Sequence, residues 1–202
     1  LVSKDFLRKE MKQKLQLLTK EQWMQKSFAV SLNIKTLLTE LNVLKKENRI
    51  GVYAPFQKEP DWTFSFQNAQ GVPSFIQDQL AFPTIKSEGE GKLEKMVFTQ
   101  SHLSDLVLKV DFGVKILGPR ETNVDLNEDQ PKIFLIPGLA FGTHGERLGR
   151  GKGFYDRYLG TNKGIKIGVC FREQLDHRIP MDEFDIKMNF VITDDEIVKI
   201  DV

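Results

Sequence analysis

Leu7, Met11, Leu15 and Leu18 recur at intervals of four, four and three residues, the spacing of a single helix face. Thr19 and Gln22 have the spacing of a capping box, with Leu18 and Trp23 flanking the cap as a hydrophobic staple. A second helix is predicted from about Lys20 to Lys45, with its apolar stripe at Trp23, Val30, Ile34, Leu37, Leu41 and Leu44. The two together predict an amphipathic pair packed on a sheet, a reading that leaves their exposed charges unexplained.

From Arg49 the period changes. Ile50 to Tyr53 predicts a strand that ends in the loop Ala54-Pro55. Phe64 and Phe66 alternate with polar residues before Gly71 and Pro73 break the pattern. Leu80 to Ile85 predicts a strand that Pro83 restricts to an edge or an end. Ser87 to Gly91 predicts a hairpin loop and Met96 to Phe98 a short strand, while Asp105 to Pro119 fits either kind of element. Lys132 to Ile136 is a buried strand, residues 137–152 a glycine-rich loop, and Phe154 to Leu159 a helix stopped by Gly160. Ile165 to Phe171, Phe190 to Thr193 and Ile197 to Ile200 complete the strands. Strands interleaved with helical crossovers predict an α/β fold with a mostly parallel sheet, in one domain over residues 1–202 that includes the N-terminal helical pair.

Composition narrows the function classes. The 202 residues are 40% hydrophobic and 28% charged, as in an ordinary globular chain. The net charge of +1, from 29 Lys and Arg against 28 Asp and Glu, lacks the basic excess of a nonspecific nucleic-acid binder. The single cysteine, Cys170, forms no internal disulfide, and His102, His144 and His177 are not spaced as metal ligands. No apolar run reaches the roughly 18 residues of a membrane span, and no signal peptide is visible. A monomer in the cytoplasm is expected, or in an organelle matrix if a leader has been removed.

The segment from Ile136 to Leu159, IPGLAFGTHGERLGRGKGFYDRYL, carries the chemistry. Its glycines at 138, 142, 145, 149, 151 and 153 lie between a strand and a helix, with Arg147, Arg150 and Lys152 among them. Such glycines let backbone N–H groups approach a phosphate, and the cations meet its charge. The segment is not a Walker A loop, because Glu146 stands where the first glycine belongs and Gly153 follows the lysine. It is not a dinucleotide fingerprint either, since Phe154 takes the position of the third glycine. A surface loop with accidental charge is the alternative, and the alternation of glycines with cations argues against it. Asp156 follows as a helix N-terminal charge, a salt-bridge partner or a ligand to nucleotide-bound Mg²⁺; spacing leaves the three open.

The segment resembles the signature of the 5-formyltetrahydrofolate cyclo-ligase (methenyltetrahydrofolate synthetase) family, roughly PGLxFDxxGxRLGxGxGYYD. Lys4-Asp5-Phe6-Leu7-Arg8 is similar to that family's N-terminal Lys-x-x-x-Arg, and Tyr53-Ala54-Pro55-Phe56 followed by Glu59 to its early strand and substrate glutamate. Gly168 to Leu175, Ile179-Pro180, Asp185 and Ile192-Thr193 resemble its C-terminal block. Gly142, Phe154, Phe184 and Gly118 depart from common family residues without touching the loop cations or either aspartate.

The resemblance implies a three-layer α/β/α sandwich, similar to the sugar-phosphate isomerase and CoA-transferase-like folds. It implies ATP- and Mg²⁺-dependent closure of 5-formyltetrahydrofolate to 5,10-methenyltetrahydrofolate, through phosphorylation of the formyl oxygen and attack by N10. ATP would be held by Lys4, Arg8 and the run Arg147, Leu148, Gly149, Arg150, Gly151, Lys152, Gly153, Phe154 and Tyr155, with Arg150 and Lys152 nearest the transferred group. Lys4 and Arg8, four residues apart, share a helix face independently of the resemblance. Asp156 and Asp185 would serve Mg²⁺. Ala54, Glu59 and Tyr155 would hold the folate; a solvated loop charge is the alternative for Glu59. Met96 and Phe98 are either pocket lining or core. Two other functions keep the same motifs: a nucleotide- or folate-binding relative without this reaction, and an ATP-using enzyme acting on another heterocycle.

Overall fold

The computed structural model describes residues 2–201 except 46, 57, 69–70, 72, 88–93, 112–113 and 121–129. The chain opens with α1 (Lys4–Gln16), capped by Ser3, whose Oγ accepts from the Phe6 N–H. The second helix, α2 (Lys20–Glu40), begins at the expected capping box: Thr19 Oγ1 accepts from the Gln22 N–H and Gln22 returns its side-chain oxygen to the Thr19 N–H. It stops several residues before Lys45, because Asn42 turns into the left-handed region at φ 53°, a conformation that asparagine tolerates better than most residues.

Seven strands form the main sheet: β1 (Ile50–Gly51), β2 (Leu80–Ser87), β3 (Glu94–Gln100), β6 (Ile133–Pro137), β9 (Ile165–Val169), β10 (Phe190–Ile192) and β11 (Ile197–Lys199), in the order β11-β10-β9-β6-β1-β2-β3. The four central pairings are parallel and the two outer ones antiparallel. The central β6 is buried on both faces: Ile133 and Leu135 join the cluster under α2, while Phe134 and Ile136 join the cluster on the opposite face. This explains why it reads as an unbroken apolar run. β2 lies one strand in from the edge, so of the two expected placements for Pro83 the structure shows an end of pairing and not an edge strand. The strand pairs with β1 only through Leu80 and Ala81, and Pro83 comes after that pairing ends, opposite Phe98 of β3. The missing donor therefore breaks no ladder bond to β1. Most of the expected 87–91 hairpin loop lies outside the described residues.

The undecided stretch 105–119 forms a two-stranded ribbon, β4 (Val107–Asp111) with β5 (Val114–Gly118). The glycine-rich segment is less loop-like than expected: β7 (Ala140–Phe141) and β8 (Arg147–Leu148) pair within it. A short helix, α3 (Ser74–Gln77), precedes β2, and α4 (Phe154–Gly160) follows the glycine-rich segment, on the face of the sheet away from α2. With α2 on one face and α4 on the other, the sheet has the three-layer α/β architecture that was expected.

The helical pair is the larger correction. Leu7 and Met11 of α1 bury completely against Leu139, Ala140, Leu148 and Ile179, so the first helix packs chiefly on the β7–β8 ribbon. Helix α2 takes the sheet, through Val30, Ile34, Leu37 and Leu38. The register of the apolar stripe was right, but its partner lies about 130 residues away in the chain, where helical periodicity carries no information.

Candidate active site

Beyond the carboxyl ends of β1 and β6, where open α/β sheets characteristically bind ligands, lies a cleft of about 600 Å³. Every residue singled out from the sequence as an ATP, folate or metal contact lines it. Four segments converge there, and each has a distinct local reason to.

Helix α1 presents Lys4, Arg8 and Lys12 to the cleft, one residue per turn. This follows from the docking of Leu7 and Met11 on the ribbon, which turns the adjacent cationic stripe inward. Arg8 Nε donates to the Gly149 carbonyl at 3.1 Å, tying the helix to the glycine-rich segment. Lys4 Nζ donates to Asp182 and Asp185, each at 2.6 Å. Partial burial alone would lower the Lys4 pKa, but the two aspartate hydrogen bonds outweigh it and leave the pKa above the ordinary lysine value.

The second segment runs from Arg147 to Asp156. Gly151 has φ 98° and Gly153, which begins α4 without a side-chain cap, has φ 66°; both are left-handed positions that favour glycine. Within it the cations divide. The Arg147 side chain is 5% exposed. Its Nη2 donates to Asp156 at 2.9 Å, its Nη1 to the Pro137 carbonyl at 3.3 Å, and its guanidinium lies 5.2 Å from the Tyr155 ring centroid. Arg150 is 53% exposed and reaches across the cleft to Glu59 at 2.8 Å. Lys152 is exposed, and its carbonyl accepts from Arg157.

The third segment follows β1. Tyr53 is buried, its hydroxyl donating to the Pro60 carbonyl at 2.6 Å, and Trp23 donates to the Glu59 carbonyl at 2.9 Å. These two bonds shape the loop that carries Ala54 and Glu59. The Glu59 side chain is 19% exposed, and Phe56 N–H donates to its second oxygen at 3.3 Å. Burial raises the Glu59 pKa above the usual carboxylate value, and Arg150 only partly offsets this. Burial likewise raises the Tyr155 phenol, beyond what Arg147 offsets.

The fourth wall is apolar: Pro83, Ile85 and Met96 from the β2–β3 pair and Leu117 from β5. Of the two residues left between pocket and core, Met96 lines the cleft and Phe98 is core, packed on Phe134 and Tyr158. Reading the sequence missed Lys12, Asp182, Tyr53 and Leu117. Lys12 continues the interval of four from Lys4 and Arg8, a signal that was present; Leu117 sits in the stretch whose strand character was undecided. The lone titratable residues stay outside the cleft: Cys170 is fully buried, His177 is exposed and His102 meets Asp78 at 3.0 Å on the surface.

Among the described residues no group of three His, Cys, Asp or Glu is arranged to hold a metal ion. The three aspartates that line the cleft are each held by a cation, Asp156 by Arg147 and both Asp182 and Asp185 by Lys4. That set suits a divalent ion that arrives on a nucleotide, which needs one or two carboxylates beside phosphate oxygens and water. Among the described residues no helix is long and apolar enough to cross a membrane.

Residues 1–194 match the model of the 5-formyltetrahydrofolate cyclo-ligase family. The chain is 26% identical over 196 residues to mouse 5-formyltetrahydrofolate cyclo-ligase, covering 94% of this chain and 92% of the relative. It superposes on the NMR structure of Aquifex aeolicus 5,10-methenyltetrahydrofolate synthetase with a TM-score of 0.73 and 27% identity, over 98% of this chain and 93% of the other. The fold is also shared with 5,10-methenyltetrahydrofolate synthetase from Mycoplasma pneumoniae, with a TM-score of 0.66 at 21% identity over 96% of this chain and 99% of the other.

Proposed function

The chain belongs to the 5-formyltetrahydrofolate cyclo-ligase family, and from that premise we propose that it converts 5-formyltetrahydrofolate and ATP to 5,10-methenyltetrahydrofolate, ADP and phosphate, with Mg²⁺ required. The observation that carries this reading is the convergence, in one cleft, of the α1 cations, the glycine-segment cations and Glu59. A phosphate-binding surface and a carboxylate suited to the N–H edge of a pterin face the same space.

Each residue then has a task. Lys4 and Arg8 meet the phosphates from the helix, and the backbone of 149–153 approaches them where a Cβ would interfere with the left-handed turns. Arg150 and Lys152 sit nearest the γ-phosphoryl group and neutralise charge as it moves to the formyl oxygen, which displaces ADP. Phosphoryl transfer asks a protein mainly for positioning and for charge opposite the developing anion. Glu59 accepts from the pterin N–H donors, and the apolar wall of Pro83, Ile85, Met96 and Leu117 takes the ring faces. Tyr155 borders the reacting centre. Folate N10 then attacks the activated carbon, phosphate leaves, and the N10 proton departs with it to give the methenyl cation.

Asp156 and Asp185 would hold Mg²⁺, which when bound shields phosphate charge. Arg147, buried and committed to Asp156, Pro137 and Tyr155, acts through those residues by fixing their positions. A monomeric enzyme, in the cytoplasm or an organelle matrix, is part of the same proposal.

The test is the absorbance of the methenyl product after mixing the protein with Mg-ATP and 5-formyltetrahydrofolate. Product should accumulate with stoichiometric ADP. Folded protein that binds both reactants yet yields no product would leave a binding protein rather than an enzyme.

A further inference from the structure

Arg150 and Glu59 belong to segments 91 residues apart, yet the Arg150 guanidinium donates to Glu59 Oε1 at 2.8 Å across the cleft. Under the proposed function, on which the coupling inferred for this pair rests, the two serve different reactants, Arg150 the triphosphate and Glu59 the pterin. Neither is fully available to its reactant while it holds the other. From this juxtaposition we infer that the Arg150–Glu59 ion pair couples the two binding events, so that each reactant tightens the binding of the other.

The physical reason is a shared cost. Nucleotide that arrives alone draws Arg150 away and leaves the Glu59 carboxylate without its cation in a largely desolvated position, with only the Phe56 N–H remaining among the described residues. Folate that arrives alone draws Glu59 away and leaves Arg150 facing a cleft that already contains Lys4, Arg8 and Lys12. When both bind, the pair is broken once and each half gains a new partner. The ternary complex is therefore favoured beyond the sum of the two binary ones, and the effect is equal in both directions, as linkage requires. In the empty cleft the pair also keeps two charged groups satisfied, which explains how an anion-binding surface and a carboxylate coexist within hydrogen-bond reach.

Calorimetric titration tests this with adenylyl imidodiphosphate and Mg²⁺, which bind without turnover, in the absence and presence of saturating 5-formyltetrahydrofolate. Wild-type protein should bind the analogue about fivefold more tightly with folate present, within the usual range of heterotropic coupling. Glu59→Gln gives the sharper result. With Arg150 released, the variant without folate should bind the analogue about threefold more tightly than wild type, the scale of a partly exposed ion pair, and folate should no longer alter its affinity. A merely structural role for Glu59 would leave nucleotide affinity unchanged or weaken it. Independent binding in the wild type, or coupling that survives in Glu59→Gln, would overturn the inference; the wild-type titration needs no variant to fold. Wild type that binds both reactants and turns them over without coupling removes this inference alone. Wild type that binds neither removes the functional reading with it.

Discussion

The two faces of the sheet are built for different ends. Under α2 the chain is sealed: a helix of 21 residues lays Val30, Ile34 and Leu37 on β1, β2, β6 and β9 side chains, and several of its polar groups bond to the segments it covers. Ser31 Oγ, for example, donates to the Trp62 carbonyl at 2.6 Å. On the other side, α4 has only 7 residues, and beside it the β7–β8 ribbon, α1 and the loop after β1 leave a cleft. Its charged groups find partners across long sequence separations, such as Lys4 with Asp185 and Arg150 with Glu59. Stability should therefore depend on the first face and chemistry on the second, because apolar burial is lost when a cavity opens, whereas catalysis depends on charges kept near solvent and ready to change partners.

Four substitutions or titrations separate the faces. Ile34→Ala, at a fully buried position, should cost about 3 kcal/mol of unfolding free energy, read in denaturant melts, with the turnover of the remaining folded protein unchanged. Lys152→Ala should do the reverse: an unaltered melt, and turnover lower by about 10², equivalent to about 3 kcal/mol of barrier. Wild-type turnover in that variant would break the division of labour. Thr19→Ala removes half of the α2 capping box and should cost about 1 kcal/mol, a melting shift of about 3 °C for a chain of this size, without kinetic effect.

The smallest effect is a pH dependence that belongs to the cleft. Burial holds the folded-state Glu59 pKa above the unfolded value, so the fold favours the protonated form. The ionised group is then a cost to stability above that pKa, relieved as the pH falls through it. Folate affinity should move the opposite way, weakening on acidification already above the ordinary carboxylate range as Glu59 loses its charge. Affinity measured against pH should show this limb in the wild type and a flat profile in Glu59→Gln; a limb that persists in the variant would assign it elsewhere.

Much of the molecule was legible residue by residue where the cause is local. The Thr19–Gln22 cap, the α2 stripe, the buried β6 run and the helix after Gly153 all depend on neighbours within a few positions. The cleft residues were legible through the glycine-cation alternation and the resemblance it carries. Less legible were the β4–β5 ribbon, whose alternation is weak, and the pairing inside the glycine-rich segment, where strands of two residues leave no periodic trace. Pro83 was read as marking an edge or an end without a choice between them, because a sequence shows a missing donor but not where the neighbouring strand ends.

The sequence alone determined the α/β class, the order of most elements and the identity of many residues that line the cleft, since backbone preference, apolar period and side-chain chemistry are properties of short stretches. Only the tertiary structure decided that α1 docks on the β7–β8 ribbon, that Arg147 is buried on Asp156 while Arg150 reaches Glu59, and that Lys12 and Asp182 join the cleft. Those outcomes depend on which distant surfaces bury each other and on which charges they bring within a few ångströms, and a linear chain does not record either.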